Sequence, residues 1–249
     1  MTGTLRALTI SGLSFSYQEK IPALKNIDLE VRTGEKIGVI GPNGAGKTTL
    51  FLMICGLLKP EAGRIVLLDE PVESGRFNPS AAMVFQKSDD QLFCPSVWDD
   101  VAFGPENMGL EPEEIKERTT RALAAVGGLE LAQRPVHHLS EGEKRMVSIA
   151  GVLAMHPRLI IYDEPSASLD IRSRRRLISI LKLSVQTSII ASHDLELILE
   201  VCTRVIIMDR GMIMADGDAA EIMGNEQLML AHGQEKPHSL IPHQVNHRH

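Results

Sequence analysis

Residues 36–49 read KIGVIGPNGAGKTT, an apolar segment that runs into a glycine-rich loop and then into a helical pattern. Within this stretch, residues 41–48 fit the motif G-x-x-x-x-G-K-[ST]. The glycines of this motif let backbone N–H groups close around phosphate oxygens at the N-terminus of a helix. The stretch therefore predicts a strand over 36–40, a phosphate-binding loop, and a helix that ends near residues 55–56.

Two residues of the loop have predicted chemical roles. Lys47 is expected to reach the β and γ phosphates of a nucleotide, and Thr48 is expected to hold Mg²⁺. A glycine turn with an incidental lysine is the alternative, but the required strand precedes the loop and the required helix follows it. The predicted nucleotide-binding residues of the loop are Gly41, Pro42, Asn43, Gly44, Ala45, Gly46, Lys47, Thr48 and Thr49.

A second apolar segment supplies an acidic pair. Residues 159–164 read LIIYDE, which predicts a buried strand whose end carries Asp163 and Glu164. Asp163 is expected in the Mg²⁺ shell, and Glu164 can polarise the attacking water as general base. An acidic strand end that faces solvent is the alternative. The sequence contains no guanine-reading Asn-Lys-x-Asp segment, so the predicted nucleotide is ATP.

The remaining hydrophobic pattern indicates an α/β fold. Loose alternation over 8–17 and a short apolar run over 27–31 predict antiparallel strands near the start of the chain. Further buried strands, interleaved with helical segments, predict a mostly parallel sheet. These strands are expected at 64–68, 82–85, 159–162, 188–191 and 205–208.

The interval between residues 85 and 159 offers helices and no convincing strand. The helical patterns predict a subdomain over about residues 87–157 that is inserted into the connections of the sheet. Its helices are expected at 98–103, 112–126 and 141–155.

The C-terminal residues differ in composition from the rest. Past residue 225 the periodicity fades, so we expect residues 1–225 to form a single domain and residues 226–249 to form a flexible tail. Imidazole suits Ni²⁺ and Co²⁺, so the histidines of this tail could store metal. Their irregular spacing favours an inert tail instead. The five histidines are His232, His238, His243, His247 and His249.

Composition excludes several classes of function. The 249 residues include 26 Lys and Arg against 32 Asp and Glu, and the net charge of -6 has the wrong sign for a chain that wraps nucleic acid. The hydrophobic fraction of 43% is typical of a globular protein. The sequence has no run of apolar residues long enough to span a membrane, and the start MTGTLRALTI has no signal-peptide core. We therefore expect a soluble chain that is made in the cytosol.

Residues 139–143 read LSEGE and resemble the signature motif of ATP-binding-cassette (ABC) ATPases, usually LSGGQ. Other family motifs follow in the expected order, and the resemblance covers about residues 5–225. It implies a P-loop NTPase core of the ABC type, with an antiparallel β subdomain and an inserted helical subdomain. The matching residues are Tyr17 for the aromatic that stacks on adenine, Gln86 for the coupling-loop glutamine, Ser168-Leu169-Asp170 for the D-loop, and His193 for the switch histidine.

The resemblance also implies how the site is assembled. Two copies form a head-to-tail dimer, and each ATP lies between the P-loop of one copy and Ser140 and Gly142 of the other. The implied catalytic residues are Lys47, Gln86, Glu164 and His193, and the implied Mg²⁺ ligands are Thr48, Gln86 and Asp163. Glu141 and Glu143 depart from the family motif. The Glu141 carboxylate would weaken closure on ATP if it pointed inward, and would have no effect if it faced out.

A narrower resemblance lies in residues 84–93 and 97–105, which read VFQKSDDQLF and VWDDVAFGP. They are similar to ATPases of energy-coupling-factor importers, above all CbiO-type proteins that take up cobalt or nickel. The resemblance implies a peripheral subunit on the cytoplasmic face of the membrane, with a transmembrane coupling protein and a substrate-binding membrane subunit as partners. Asp89, Asp90 and Gln91 would line the groove that receives the coupling helices, which carry arginines in this family. An acidic solvated loop is the alternative.

The parts of both half-sites are present in this one chain, which favours a homodimer and the metal-importing branch. The shared ATPase of a vitamin importer is the first alternative, since a complete motif set fits either branch. An ATP-gated clamp on nucleic acid is disfavoured, because the chain is acidic and carries one cassette. A regulatory subunit with impaired hydrolysis depends on the effect of Glu141.

Overall fold

A computed structural model describes residues 5–17 and 21–241. Ten strands in two sheets and eight α-helices make up this part of the chain. In the described part, no helix is long and apolar enough to span a membrane.

The first sheet has four antiparallel strands in the order β2-β1-β4-β5. Side chains along each strand alternate between the two faces of this sheet. Ile10 pairs with Leu29 of one neighbouring strand and with Ile65 of the other. Its strands are β1 (Arg6–Ser16), β2 (Pro22–Arg32), β4 (Ala62–Leu67) and β5 (Glu70–Pro71).

The prediction that residues 64–68 join the mainly parallel sheet is wrong, because β4 pairs antiparallel with β1. Ile65 and Leu67 are buried, whereas Arg64, which precedes them in the strand, is exposed. Such alternation is the pattern of a sheet with one covered face and not of a strand buried on both faces.

The second sheet has six strands in the order β10-β9-β3-β8-β7-β6. All neighbours in it are parallel except β10, which pairs antiparallel with β9. The strand β10 was not predicted because exposed and half-buried residues alternate along it. The strands are β3 (Lys36–Ile40), β6 (Ala81–Val84), β7 (Leu159–Asp163), β8 (Thr187–Ala191), β9 (Arg204–Asp209) and β10 (Met212–Asp218).

Helices α2, α3 and α4 follow β6 and precede β7 in the chain, and they pack together. This is the interval where the sequence predicts a helical insertion. The observed architecture confirms the predicted α/β fold, with a mostly parallel sheet, an antiparallel sheet and helices. The helices are α1 (Lys47–Ile54), α2 (Val97–Asn107), α3 (Pro112–Val126), α4 (Glu141–Ala154), α5 (Ile171–Leu183), α6 (Leu195–Val201), α7 (Ala219–Gly224) and α8 (Glu226–Ala231).

The expectation of a flexible tail is not met by residues 226–241, which form α8 and a short turn and pack on the core. His232 Nδ1 lies 3.1 Å from Asp209 Oδ2, and Ser239 Oγ donates to Glu196 Oε2 across 2.7 Å. A six-residue helix is too short to show periodicity, so these tertiary contacts had no signal in the sequence. The tail histidines His243, His247 and His249 lie outside the described residues.

Candidate active site

The site lies at the carboxyl edge of the parallel sheet, where the loop after β3 leads into α1. Two glycines let this loop pass close to other backbone segments. Gly41 has a φ of 145°, and a Cβ there would lie 2.0 Å from the Met208 carbonyl oxygen. Gly46 has a φ of 103°, and its Cβ would lie 2.7 Å from the Ala23 carbonyl oxygen. Larger residues at these positions would force the loop out of its phosphate-binding shape.

The Lys47 ammonium is held by the loop that it follows. Its Nζ donates to the carbonyl oxygens of Gly41 at 2.6 Å and Pro42 at 3.0 Å. Burial lowers the pKa of Lys47, and the nearby carboxylates of Glu164 and Asp163 oppose that shift. The cation is therefore fixed beside the loop, where phosphate oxygens would meet it.

Thr48 and Asp163 bring two oxygen donors together. Thr48 Oγ1 donates to Asp163 Oδ2 across 2.7 Å, and Asp163 is 2% exposed. Burial raises the pKa of Asp163, while the Thr48 hydrogen bond and the Lys47 charge lower it. Hydroxyl and carboxylate oxygens are the ligand types that Mg²⁺ prefers, so these residues fit that ion. Gln86, the third predicted ligand, lines the same cavity.

One carboxylate oxygen of Glu164 accepts a hydrogen bond, and the other accepts none from the described residues. Its Oε2 accepts the His193 backbone N–H at 3.1 Å, whereas its buried Oε1 has no hydrogen-bond partner among the described residues. The backbone of Glu164 has a φ of 52°, a strained value that clusters at functional sites. Burial raises the pKa of this carboxyl. A carboxylate oxygen at a cavity wall that accepts no hydrogen bond can accept a proton from water.

His193 and Tyr17 border the cavity on two sides. His193 Nε2 lies 3.2 Å from Asn43 Oδ1 in the phosphate loop and 3.6 Å from Glu164 Oε1. The Tyr17 hydroxyl lies 3.2 Å from Thr49 Oγ1, and its half-exposed ring meets Phe15 edge to face. The histidine is thus near the phosphate loop, and the tyrosine ring is half-exposed at the cavity.

Most of the predicted site residues surround one cavity of about 380 Å³. Gly41 and Pro42 lie behind it and hold Lys47 through their carbonyl groups. The structure does not bring Ser140 and Gly142 to this cavity. The predicted residues that line it are Tyr17, Asn43, Gly44, Ala45, Gly46, Lys47, Thr48, Thr49, Gln86, Asp163, Glu164 and His193.

Ser140 and Gly142 lie instead at the start of α4. Ser140 is the N-cap of this helix and forms a reciprocal capping box with Glu143. The Ser140 hydroxyl donates to Glu143 Oε2 at 2.8 Å, and Arg134 Nη1 lies 3.1 Å from Glu143 Oε1. A hydrogen bond from the Ser140 backbone N–H to Glu143 Oε2 at 2.8 Å, together with these two contacts, holds the pKa of Glu143 below its usual value. Glu143 therefore has a structural role in starting the helix.

Glu141 faces solvent in this chain. Its side chain is 61% exposed, and its Oε1 lies 3.0 Å from Lys144 Nζ. The same ammonium lies 2.7 Å from Asp89 Oδ1. The Glu141 carboxylate thus pairs with a lysine of its own helix, and its effect on closure on ATP stays a prediction.

The segment after Gln86 borders a second cavity of about 450 Å³ between the core and the helical insertion. Asp89 and Asp90 are exposed. Gln91 is a structural link, because its side chain accepts the Phe85 N–H at 3.1 Å and donates to the Ser148 carbonyl at 3.0 Å. Three exposed rings also border this groove, and they belong to Phe77, Phe93 and Phe103.

Sequence reasoning missed Arg174 and Asp194, which support the site without lining its cavity. Arg174 Nε and Nη2 donate to Asp194 at 2.5 and 2.9 Å, which ties the D-loop helix α5 to the residue after His193. Burial would raise the pKa of Asp194, but hydrogen bonds from Arg174 and the Leu197 N–H hold it below its ordinary value. The available signal was a basic run over 172–176, whose individual partners only the fold reveals.

The loop, the acidic pair and the two-sheet core define a P-loop nucleotide hydrolase. The ABC transporter family matches residues 24–167, more than half of the chain, and the chain belongs to that family. It is 54% identical over 234 residues to a Synechocystis protein named as an ABC transporter ATP-binding protein, sll0385, covering 94% of this chain and 82% of that one.

Two further relatives narrow the class. The energy-coupling factor transporter ATP-binding protein EcfA of Methanothermobacter thermautotrophicus is 43% identical over 230 residues, covering 89% of this chain and 74% of that one. The structure of cbiO1 from Clostridium perfringens, part of the ABC transporter complex cbiONQ, is 36% identical with a TM-score of 0.78, covering 91% of this chain and 94% of that one. The chain is thus an ABC ATPase of the energy-coupling-factor type.

Proposed function

We propose that this chain hydrolyses ATP to drive import of cobalt or nickel ions through a transmembrane coupling protein. The observation that carries the hydrolytic part is the buried Glu164 Oε1, which accepts no hydrogen bond from the described residues and lies 3.6 Å from His193 Nε2, beside the Thr48–Asp163 pair. A carboxylate oxygen that accepts no hydrogen bond is free to accept the proton of a water that attacks the γ-phosphate.

The chain's own residues divide the work of hydrolysis. Lys47 and the loop N–H groups bind the phosphates, and the Tyr17 ring stacks on adenine. Thr48, Asp163 and Gln86 would hold Mg²⁺, which would supply charge neutralisation on the phosphate oxygens. Glu164 activates water, and His193, near Asn43 of the loop, senses the γ-phosphate.

We propose that two copies complete each site head to tail. Ser140 and Gly142 lie outside the cavity of their own chain, at the exposed N-terminus of the 14-residue helix α4. Backbone N–H groups at a helix start favour an anion, so a second copy's ATP is a suitable ligand there. The chain supplies both kinds of half-site, which supports a homodimer.

The groove beside Gln91 is the proposed docking surface for the coupling protein. Asp90 offers an exposed negative charge, Asp89 shares its charge with Lys144 Nζ at 2.7 Å, and the edge-to-face rings of Phe93 and Phe103 offer apolar area. A helix with arginine and apolar residues complements this surface, and the paired charges would favour its orientation. Docking there puts the chain at the cytoplasmic face of the membrane as a peripheral subunit.

The metal substrate is proposed from the likeness to cbiO1, which spans almost the whole of both chains. The second candidate is the shared ATPase of a vitamin importer, because relatives at about 40% identity carry the energy-coupling-factor name. Substrate choice in such a system belongs to a separate membrane protein.

Affinity purification from native membranes separates the two candidates. The tagged chain would be extracted in mild detergent, and its partners and bound metals identified by mass spectrometry. One ATPase species with a coupling protein and a metal-capturing membrane subunit supports the cobalt or nickel importer. A second ATPase with several small vitamin-binding subunits would transfer the assignment to the vitamin importer.

A further inference from the structure

Arg145 is a buried cation in the second turn of α4. It is 4% exposed, and its guanidinium donates to the backbone carbonyl oxygens of Phe85 and Gln86. Its Nε has no hydrogen-bond partner among the described residues. Burying a charged group costs free energy unless it is fully hydrogen-bonded, so this incomplete arrangement calls for a reason other than stability.

The two carbonyl groups belong to a segment that lies between two surfaces. Gln86 lines the nucleotide cavity, whereas Phe85 and Gln91 line the groove. The same segment is tied to α4 by Lys144, which binds Asp89, and by the hydrogen bond from Gln91 to Ser148. Residues 85–91 are therefore fastened to one face of one helix at four positions.

The charge of Arg145 also acts on the nucleotide site. Burial lowers the pKa of its guanidinium, while the carboxylates of Glu141, Asp163 and Glu164 oppose that shift. The cation thus lies within electrostatic reach of both acidic residues at the end of β7. Of the two cations that link α4 to the segment, Arg145 is the more buried, at 4% exposed against 14% for the Lys144 side chain, and buried charges are the least screened by salt.

We propose that Arg145 is a positioning residue that fixes Gln86 in the nucleotide cavity relative to the helix that begins at Ser140. This inference rests on the proposed function, in which Gln86 approaches Mg²⁺ and Ser140 meets the ATP of a second copy. Helix α4 then begins at Ser140 and holds Gln86 through Arg145. Closure of Ser140 on the ATP of the second copy therefore sets the position of Gln86 at this chain's own nucleotide.

The test measures ATP turnover of the purified full-length chain against Mg²⁺ concentration. Arg145→Gln removes the charge and the two N–H donors of the planar guanidinium. We expect kcat to fall about 100-fold, because a displacement of about 1 Å at a catalytic group can cause such a loss. The Mg²⁺ concentration at half-maximal rate should rise, while the affinity for ATP without Mg²⁺ should not change. Arg118→Gln is the matched control, because Arg118 also donates to a carbonyl oxygen, that of Met155, but within the helical insertion.

A double-mutant cycle covers the case in which Arg145→Gln does not fold. Arg145→Lys keeps the charge but loses the forked geometry, and we expect a loss of about 10-fold in kcat. In a Gln86→Ala background the same change should cost nothing further, since the positioned side chain is absent. Wild-type parameters for Arg145→Lys, or an equal loss in both backgrounds, would overturn the inference. Absence of turnover in the wild-type chain would instead contradict the proposed function.

Discussion

Thr48 Oγ1 donates a hydrogen bond to Asp163 Oδ2 across 2.7 Å and so joins the first turn of α1 to the carboxyl end of β7. The two residues are 115 positions apart in the chain. Both oxygens are suitable ligands for a hard cation, and the bond holds them together at a part-buried position. A cation that displaced this hydrogen bond would find its two oxygen ligands already close together.

Asp163→Asn should therefore impair the response to Mg²⁺. Because an amide is a weaker ligand than a carboxylate, we expect turnover at low Mg²⁺ to fall about 100-fold. ATP binding in the presence of EDTA should persist, since Lys47 and the loop are unchanged. Asp216→Asn, which breaks a surface pair with Arg204, is the control. An unchanged Mg²⁺ dependence would remove Asp163 from the metal site.

Glu164→Gln should separate binding from hydrolysis. The amide oxygen can still accept the His193 N–H, so the backbone at this strained position keeps its anchor. The neutral amide cannot take a proton, and loss of a general base lowers turnover about 100-fold or more. We expect ATP to hold the variant as a closed dimer, measured by light scattering after size-exclusion chromatography. Rapid turnover would exclude Glu164 as the base, and Glu200→Gln on the exposed face of α6 controls for the charge change.

Much of this site could be predicted because short local motifs encode it. The loop over 41–48 and the pair Asp163 and Glu164 each follow a strand, and parallel strands deliver their carboxyl ends to one edge. The predicted bounds of β3 and α3 agree with the structure, since an unbroken apolar run and a proline at a helix start are strong local signals.

The parts that could not be predicted depend on contacts between distant segments. Arg145 was unremarked because its role follows from the burial of α4 against residues 85–91, and no spacing in the sequence encodes that contact. The strand β10 was missed for a similar reason. Its polar residues, including Asp216, pair with β9 through backbone hydrogen bonds. The hydrophobic periodicity of a sequence does not record such bonds.

Tyr17→Ala should weaken ATP binding. The ring is 48% exposed at the rim of the cavity, and base–aromatic stacking contributes about 1–3 kcal/mol. We expect the dissociation constant for ATP to rise about 10-fold with little change in kcat. Tyr17→Phe keeps the ring and removes only the contact with Thr49, so its affinity should match the wild type. Equal affinity for the alanine variant in calorimetry would show that the ring does not stack on the base.

Glu141→Gly should leave ATP turnover within about twofold of the wild type, because an exposed ion pair contributes little. The Glu141 carboxylate is paired with Lys144 Nζ at 3.0 Å, which offsets its negative charge. Glu141→Gln, which keeps the side-chain volume, separates the effect of charge from that of helix propensity at this first helical position. A rise of several-fold in both variants would mean that the carboxylate opposes closure of the dimer on ATP.

His232→Ala should destabilise the whole ATPase domain, although residue 232 was expected to lie in a tail. His232 is largely buried against Asp209 at the end of β9, one residue beyond Met208, whose carbonyl lies against Gly41. Loss of a hydrogen bond of this kind lowers the free energy of unfolding by about 1 kcal/mol. Chemical denaturation of His232→Ala, Asp209→Asn and the double variant would measure it, and the two single changes should not add, since they remove the same contact. Additive losses would mean that the pair does not anchor the C-terminal segment.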